Sequence, residues 1–187
     1  DEVFATGVKH VSISLDTIDP KRFDEICERD DVWQSAIDTI SRFARVVRQR
    51  GGTGNINCVV SRANLRELPR MVDLAERLGF WISFIPLEVH EYGGQIIERE
   101  RADAMFFTKA DHAELDEMFG RLIEMKRQGR RIFSSTPFLE ESLDYLKGGT
   151  PRWQCLAGAL FFSVSPEGRF SICHKFDGTG QTRQQYY

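Results

Sequence analysis

Two cysteines near the end of the chain have a spacing that suits metal or cluster binding. Cys155 is followed by twelve residues, then Gly168, then four residues, then Cys173. The segment 166–169 (PEGR) is typical of a β-hairpin turn, which would bring the two thiols close together. Two thiolates on a hairpin suit an iron–sulfur cluster or zinc. Composition alone leaves open the alternative that both are cysteines of a hydrophobic core.

Polar side chains near the end of the first predicted strand form a second candidate group. Ser14 and Asp16 alternate with Ile13 and Leu15, which predicts that the polar pair faces a ligand and the apolar pair faces the helices. In α/β barrels and open α/β sheets, ligands bind at the carboxyl ends of the strands. A hydroxyl and a carboxylate suit ribose hydroxyls or an ammonium group. The alternative is that Asp16 caps the turn that follows.

The next two predicted strands carry further candidates at their ends. Asn57 is polar within a strand that is otherwise mostly apolar. Pro86 and Leu87 close the third strand, where apolar side chains and free carbonyls suit an adenine ring, with plain strand packing as the alternative. Asn64 is interpreted as a helix cap rather than a ligand contact, because Glu67 follows it in the capping-box position.

Hydrophobic periodicity predicts strands that alternate with helices. The predicted strands cover residues 11–15, 56–60 and 83–87, with a short further strand at 131–133. The predicted helices cover residues 20–27, 32–47, 64–78, 111–128 and 136–147. A second capping box, Asp111 with Glu114, is expected to open the fourth of these helices. The alternation predicts an α/β fold with βαβ units and a parallel sheet in chain order.

The pattern changes near residue 150. After Pro151, two short segments with strand character, 160–165 and 170–173, flank the predicted turn. The expected domain organisation is therefore an α/β unit over residues 1–150 and a small β module over residues 151–187.

Composition and charge narrow the classes of function. The net charge of −3 gives no general attraction to nucleic acid or to an anionic membrane surface, and no apolar run approaches the roughly 20 residues of a membrane span. Four cysteines without a secretory signal favour a reducing compartment, so we expect a cytoplasmic protein. Cys27 and Cys58 each lie on an apolar face and are predicted to be buried in the core.

Together, these segments resemble radical S-adenosylmethionine (SAM) enzymes. The run 11–16 (VSISLD) is similar to the fourth barrel strand of that family, which commonly reads iSlD. Residues 57–60, with Asn64 downstream, resemble the fifth strand and its exit loop, and residues 84–87 resemble the sixth. The segment 155–173 resembles the opening of a SPASM domain, an extension of peptide and cofactor maturases that binds auxiliary [4Fe–4S] clusters. The resemblance covers nearly the whole chain.

The resemblance implies a partial TIM-type (βα) barrel of parallel strands, followed by a small β-hairpin cysteine module. In this family the serine at the position of Ser14 helps to bind SAM near its ribose or methionyl part. The residues implied in cofactor binding are Ser14, Asp16, Arg29, Asn57, Pro86 and Leu87. Cys155 and Cys173 are implied as ligands of an auxiliary cluster.

The implied activity is reductive cleavage of SAM to a 5′-deoxyadenosyl radical that modifies a peptide or a small cofactor precursor, with flavodoxin or ferredoxin as reductant. The C-x-x-x-C-x-x-C loop and the first three barrel strands of that family are not found in these 187 residues. We therefore expect a fragment or a degenerate relative that is inactive alone, and assign no catalytic residue. The main alternative is a non-catalytic α/β half-barrel that binds a peptide or nucleotide. A third is a zinc-stabilised structural module using Cys155, Cys173 and His174.

Overall fold

Parallel strands form the central sheet of the computed structural model, which describes residues 5–87, 91–92, 95–96, 105–150, 152, 156, 159–160, 162–164, 168 and 170–171. The strands β1 (His10–Ser14), β2 (Thr53–Val60) and β3 (Trp81–Pro86) are paired in that order. Both pairings are parallel, which confirms the predicted sheet. At the predicted fourth strand, Ile132 makes a single parallel bridge to Ile82.

Helices follow each strand of the sheet and agree closely with the predicted segments. They are α1 (Pro20–Cys27), α2 (Val32–Arg50), α3 (Leu68–Leu78), α4 (His112–Arg127) and α5 (Thr136–Leu146). Short 3₁₀ turns, Leu65–Glu67 and Lys109–Asp111, precede α3 and α4, and the strands β4 (Glu91–Tyr92) and β5 (Gln95–Ile96) form an antiparallel pair. Helix α3 ends at Gly79, whose φ of 78° favours glycine because a side chain there would be strained.

The two faces of the sheet differ in chemistry. Because successive residues of a strand point to opposite faces, the register divides the side chains into two sets. The helix-covered face is apolar and almost fully buried, and it includes Leu15, Ile56, Cys58, Ile82 and Phe84. The opposite face, which we call the polar face, carries Ser12, Ser14, Asn55, Asn57 and Ser83, together with the side chains of Val59, Trp81 and Ile85. Helices therefore cover one face with a hydrophobic core and leave a row of hydroxyls and amides on the other.

Two helix starts differ from the sequence predictions. Asn64 makes no side-chain capping bond, because its amide is bound to the ends of two strands instead. The second capping box joins Thr108 to Asp111 rather than Asp111 to Glu114. At both places a 3₁₀ turn precedes the α-helix, so the α-helix begins later than the sequence pattern predicts and the capping residue differs.

The two cysteines expected in the core have different surroundings. Cys58 is fully buried, as predicted, whereas Cys27 is exposed and that prediction is wrong. Cys27 is the last residue of α1, and the chain turns immediately afterwards at Glu28, which has a φ of 52°. The thiol therefore lies beyond the part of the helix that packs through Phe23.

The chain divides into two compact units, Asp1–Pro151 and Arg152–Tyr187. In the second unit, β6 (Ser163–Val164) pairs antiparallel with β7 (Phe170–Ser171), and the rings of Phe162 and Phe170 lie 5.3 Å apart. Gly168 between the strands has a φ of 78°, as a turn glycine requires. Cys155 and Cys173 lie outside the described residues, so the cysteine module stays a prediction.

In the described part of the chain, no helix is both long enough and apolar enough to cross a membrane.

Candidate functional site

A rung of polar side chains crosses the sheet near the carboxyl ends of its strands. Ser14 is paired with Asn57, and Asn57 with Ser83, so all three lie on the polar face at the same level. The Asn55 amide donates to Asn57 Oδ1 at 2.7 Å and to Ser83 Oγ at 3.0 Å. Ser14 is exposed, and its hydroxyl has no side-chain hydrogen bond to the described residues. The rung therefore offers the Ser14 hydroxyl and the Asn57 amide N–H groups to a ligand.

Asp16 lies just beyond β1 and extends its pairing with β2. Its Oδ1 accepts a hydrogen bond from the Val59 main-chain N–H at 2.7 Å. Burial raises the pKa of Asp16 above its ordinary value, and the Val59 N–H partly offsets that rise by stabilising the carboxylate. One carboxylate oxygen thus has a structural role, and the other has no partner among the described residues. The turn after β1 is capped by Thr17, whose Oγ1 accepts from Asp19 N at 3.0 Å, and not by Asp16.

Glu67 fixes the loop that follows β1. Its Oε2 accepts from Thr17 Oγ1 at 2.6 Å and from Ile18 N at 3.0 Å, while Oε1 pairs with Arg22. The capping-box spacing of Asn64 and Glu67 does not indicate this role. The contacts join residues 45–50 positions apart, so no local sequence pattern indicates them.

Asn64 also has contacts other than the helix cap that its sequence position predicts. It is only 1% exposed. Its Nδ2 donates to the carbonyl of Asp16 at 2.6 Å and to the carbonyl of Val59 at 2.7 Å, and its Oδ1 accepts from Ser61 N at 2.9 Å. Asn64 therefore joins the exits of β1 and β2.

The remaining candidates occupy different surroundings. Pro86 is buried and shares the helix-side face with Phe84 by alternation, while Leu87 is half-buried and its N–H bonds to the Val60 carbonyl at 3.1 Å. Leu87 is thus the better placed of the two for a ligand on the polar face. Arg29 is exposed in the turn after α1, and no contact within the described part of the chain joins its side chain to the polar rung.

A cavity of about 400 Å³ opens beyond Leu87, at the carboxyl end of β3. Its lining combines aromatic rings and lysines, and the residues that the structure describes around it include no Asp or Glu. They are Leu87, Met105, Phe106, Phe107, Thr108, Lys109, His112, Tyr145, Leu146, Lys147, Gly148 and Gly149. Because Lys147 is already paired with Asp116 at 2.8 Å, the lining suits a mainly apolar ligand.

The fold and the placement of the polar residues agree with the family that the sequence resembles. A parallel, helix-covered α/β sheet has a polar opposite face, with hydroxyl, amide and carboxylate groups at the carboxyl ends of its strands. This is the arrangement expected of the later strands of a radical SAM barrel. In the part of the chain that the structure describes, no group of three or more His, Cys, Asp or Glu side chains is placed to hold a metal ion.

The chain is similar to curated proteins named PqqA peptide cyclase. The chain is 33% identical over 174 residues to the PqqA peptide cyclase of Xanthomonas oryzae, a match that covers 93% of this chain and 43% of the relative. The PqqA peptide cyclase of Methylorubrum populi is 25% identical over 179 residues, covering 93% of this chain and 42% of the relative. The chain thus spans less than half the length of these relatives. No protein-family model matches it.

Solved structures share the fold. SuiB of Streptococcus suis bound to S-adenosylmethionine matches with a TM-score of 0.57 at 18% identity, over 94% of this chain and 39% of SuiB. The protein anSMEcpe with bound AdoMet and a peptide matches with a TM-score of 0.54 at 19% identity, over 95% of this chain and 49% of that protein. Taken together, the relatives named PqqA peptide cyclase and these shared folds confirm the resemblance to radical SAM enzymes that the sequence predicts.

Proposed function

We propose that this chain forms the SAM-facing later strands of a radical SAM enzyme that modifies a peptide. The observation that carries the proposal is the polar rung of Ser14, Asn57 and Ser83 on the face of the sheet opposite the helix-covered core. The names of the relatives support a peptide substrate: one group is called PqqA peptide cyclase, and SuiB has been solved with its precursor peptide SuiA.

The donor set of the rung fits SAM. The Ser14 hydroxyl and the Asn57 amide N–H groups suit ribose hydroxyls or the carboxylate of the methionyl part, and the second oxygen of Asp16 suits an ammonium group. Leu87 offers an apolar surface to the adenine. When bound, SAM and its reducing cluster supply the radical chemistry, while these residues bind and orient the cofactor. The cavity beyond Leu87 provides room for part of a peptide substrate.

We further propose that the second unit begins a SPASM-type module. The antiparallel pair β6–β7 supports a hairpin between Cys155 and Cys173, whose thiolates would then hold an auxiliary [4Fe–4S] cluster with ligands from elsewhere. Since the C-x-x-x-C-x-x-C loop is not in these residues, we expect the 187-residue chain alone to be inactive. The intact enzyme would act in the cytoplasm and receive electrons from a flavodoxin or ferredoxin.

Affinity for SAM tests the proposal. The product of the complete reading frame that encodes this chain would be purified anaerobically, its clusters reconstituted, and its Kd for SAM measured by equilibrium dialysis. Ser14→Ala removes one hydrogen bond and is expected to raise the Kd about fivefold, the equivalent of about 1 kcal/mol.

Ser12→Ala is the matched control. Ser12 lies on the same face, two residues or about 6.6 Å nearer the amino end of β1, so its loss should change the Kd by less than about twofold. Equal effects of the two substitutions would contradict the placement of SAM at the carboxyl-end rung. A protein that binds neither SAM nor iron and sulfide would instead favour the non-catalytic binding protein.

A further inference from the structure

The buried amide of Asn64 links the two strands that carry Ser14 and Asn57. We propose that Asn64 is a positioning residue of the cofactor site, which holds the exits of β1 and β2 so that Ser14 stays opposite Asn57. The inference rests on the proposed function, because it concerns the same SAM site. Asn64 is 1% exposed and acts through the strand ends rather than by touching the cofactor.

The chemistry of the amide matches this role. The two Nδ2 protons are donated to one carbonyl from each strand exit, Asp16 O at 2.6 Å and Val59 O at 2.7 Å. The Oδ1 accepts from Ser61 N at 2.9 Å, which fixes the amide against the loop after β2. An asparagine side chain offers two donors and an acceptor on one short planar group, whereas a carboxylate offers no donor and a hydroxyl offers only one.

The position of these bonds explains why they matter for the rung. The Leu15 N–H donates to the Asn57 carbonyl at 2.9 Å, as in an ordinary parallel ladder. Beyond this point the ends of β1 and β2 are joined through side chains. The Val59 N–H donates to the Asp16 carboxylate, and the Asn64 amide donates to the main-chain carbonyls of Asp16 and Val59. Asp16 lies two residues beyond Ser14, and Val59 lies two residues beyond Asn57. Asn64 therefore joins β1 to β2 two residues beyond the Ser14–Asn57 pair of the proposed site.

Capping of the following helix does not account for Asn64. Its side chain makes no bond to the start of the 3₁₀ turn Leu65–Glu67 or of α3, although its main-chain carbonyl accepts from Glu67 N at 2.8 Å. A substitution of the Asn64 side chain therefore keeps the main-chain hydrogen bond from Glu67 N that begins the 3₁₀ turn. The side chain can be changed with its effect confined mainly to the strand exits.

The test compares SAM affinity with stability in the cluster-reconstituted product of the complete reading frame. Asn64→Asp keeps the acceptor for Ser61 N and loses both donors, so the Kd for SAM is expected to rise about tenfold, with a lower Tm. Glu76→Ala is the stability control, because it breaks the bonds from Arg130 and Arg131 N at the other end of α3. It should lower the Tm and leave the Kd within about twofold of the wild type. Asn64→Ser replaces Asn64→Asp in the same comparison if the latter does not fold.

Each outcome decides between distinct possibilities. A Kd that rises in the Asn64 variant and not in the control supports the positioning role. A wild-type Kd in the Asn64 variant, or a rise in both variants that follows the loss of Tm, overturns it while the proposed function stands. A wild-type protein without affinity for SAM refutes the proposed function, and with it this inference.

Discussion

The close contact between Gly54 in β2 and Phe80, the residue before β3, provides a direct test of the core packing. Gly54 lies on the helix-side face of β2, next to the ring of Phe80, which is fully buried. A Cβ added at Gly54 would lie 2.5 Å from Phe80 Cδ1 and 2.6 Å from Cζ, far inside an ordinary contact. Gly54→Ala therefore forces the ring or the strand to move.

The expected cost follows from two opposing terms. Overpacking of a well-filled core costs about 1–3 kcal/mol, and a contact this short favours the upper part of that range. Replacing a strand glycine by alanine returns about 0.5–1 kcal/mol of backbone entropy. Gly54→Ala should thus lower the free energy of unfolding by about 1–2 kcal/mol, measured by urea denaturation of the 187-residue chain with tryptophan fluorescence.

Two further variants isolate the cause. In Gly54→Ala/Phe80→Leu the smaller side chain relieves the clash, so the double variant should be at least about 1 kcal/mol more stable than the sum of the single effects. Gly120→Ala is the matched control, because Gly120 lies in α4 with nothing within 4 Å of an added Cβ. It should be stabilising by about 0.5–1 kcal/mol. Wild-type stability of Gly54→Ala, or strict additivity with Phe80→Leu, would refute the reasoning.

Two carboxylates should make opposite contributions to the pH dependence of stability. Hydrogen bonds from Arg130 hold the pKa of Glu76 below its ordinary value, so its contribution is present above the unfolded pKa and is lost as the pH falls through the folded value. When urea unfolding is measured at decreasing pH, Glu76→Gln should therefore lose less free energy of unfolding than the wild type does. The difference should be less than about 1 kcal/mol, because the Glu76–Arg130 pair is partly solvated. An acid dependence equal to that of the wild type would contradict this. Burial raises the pKa of Asp16 above its ordinary value of 3.8, so the folded state binds the proton more tightly than the unfolded state does. The free energy of unfolding therefore falls as the pH rises from 3.8 through the pKa of the folded state. Asp16→Asn keeps an acceptor for Val59 N and should remove that fall, and a variant with the wild-type slope above pH 3.8 would show that the Asp16 carboxylate is not penalised by burial.

The sequence predicted the sheet well because its information is local and periodic. Mostly apolar runs such as 82–86, in which only Ser83 is polar, and helical patterns such as that of α2 determine element type. Alternation with helices implies parallel pairing. The face on which Ser14 lies followed from period-two alternation with Ile13 and Leu15, and the structure agrees. The predicted cofactor roles of these residues remain proposals.

The contacts of individual polar residues are harder to predict from the sequence, for an equally physical reason. In this chain the Asn64 and Glu67 side chains that bind the ends of β1 and β2 have the same residue types and spacing as a capping box. Yet, apart from the contact of Asn64 with Ser61, these side chains bond to residues 5–50 positions away. Cys27 was misjudged because the end of α1, rather than its periodicity, decides its exposure.

The sequence by itself determined which residues form strands and helices, which strand face is polar, and which family the chain resembles. Those properties depend on side-chain period and on short motifs, both of which are local. The tertiary structure alone decided that Asp16, Asn64 and Glu67 bind the ends of β1 and β2 together. Hydrogen bonds need partners within about 3 Å, and only folding brings residues so distant along the chain that close.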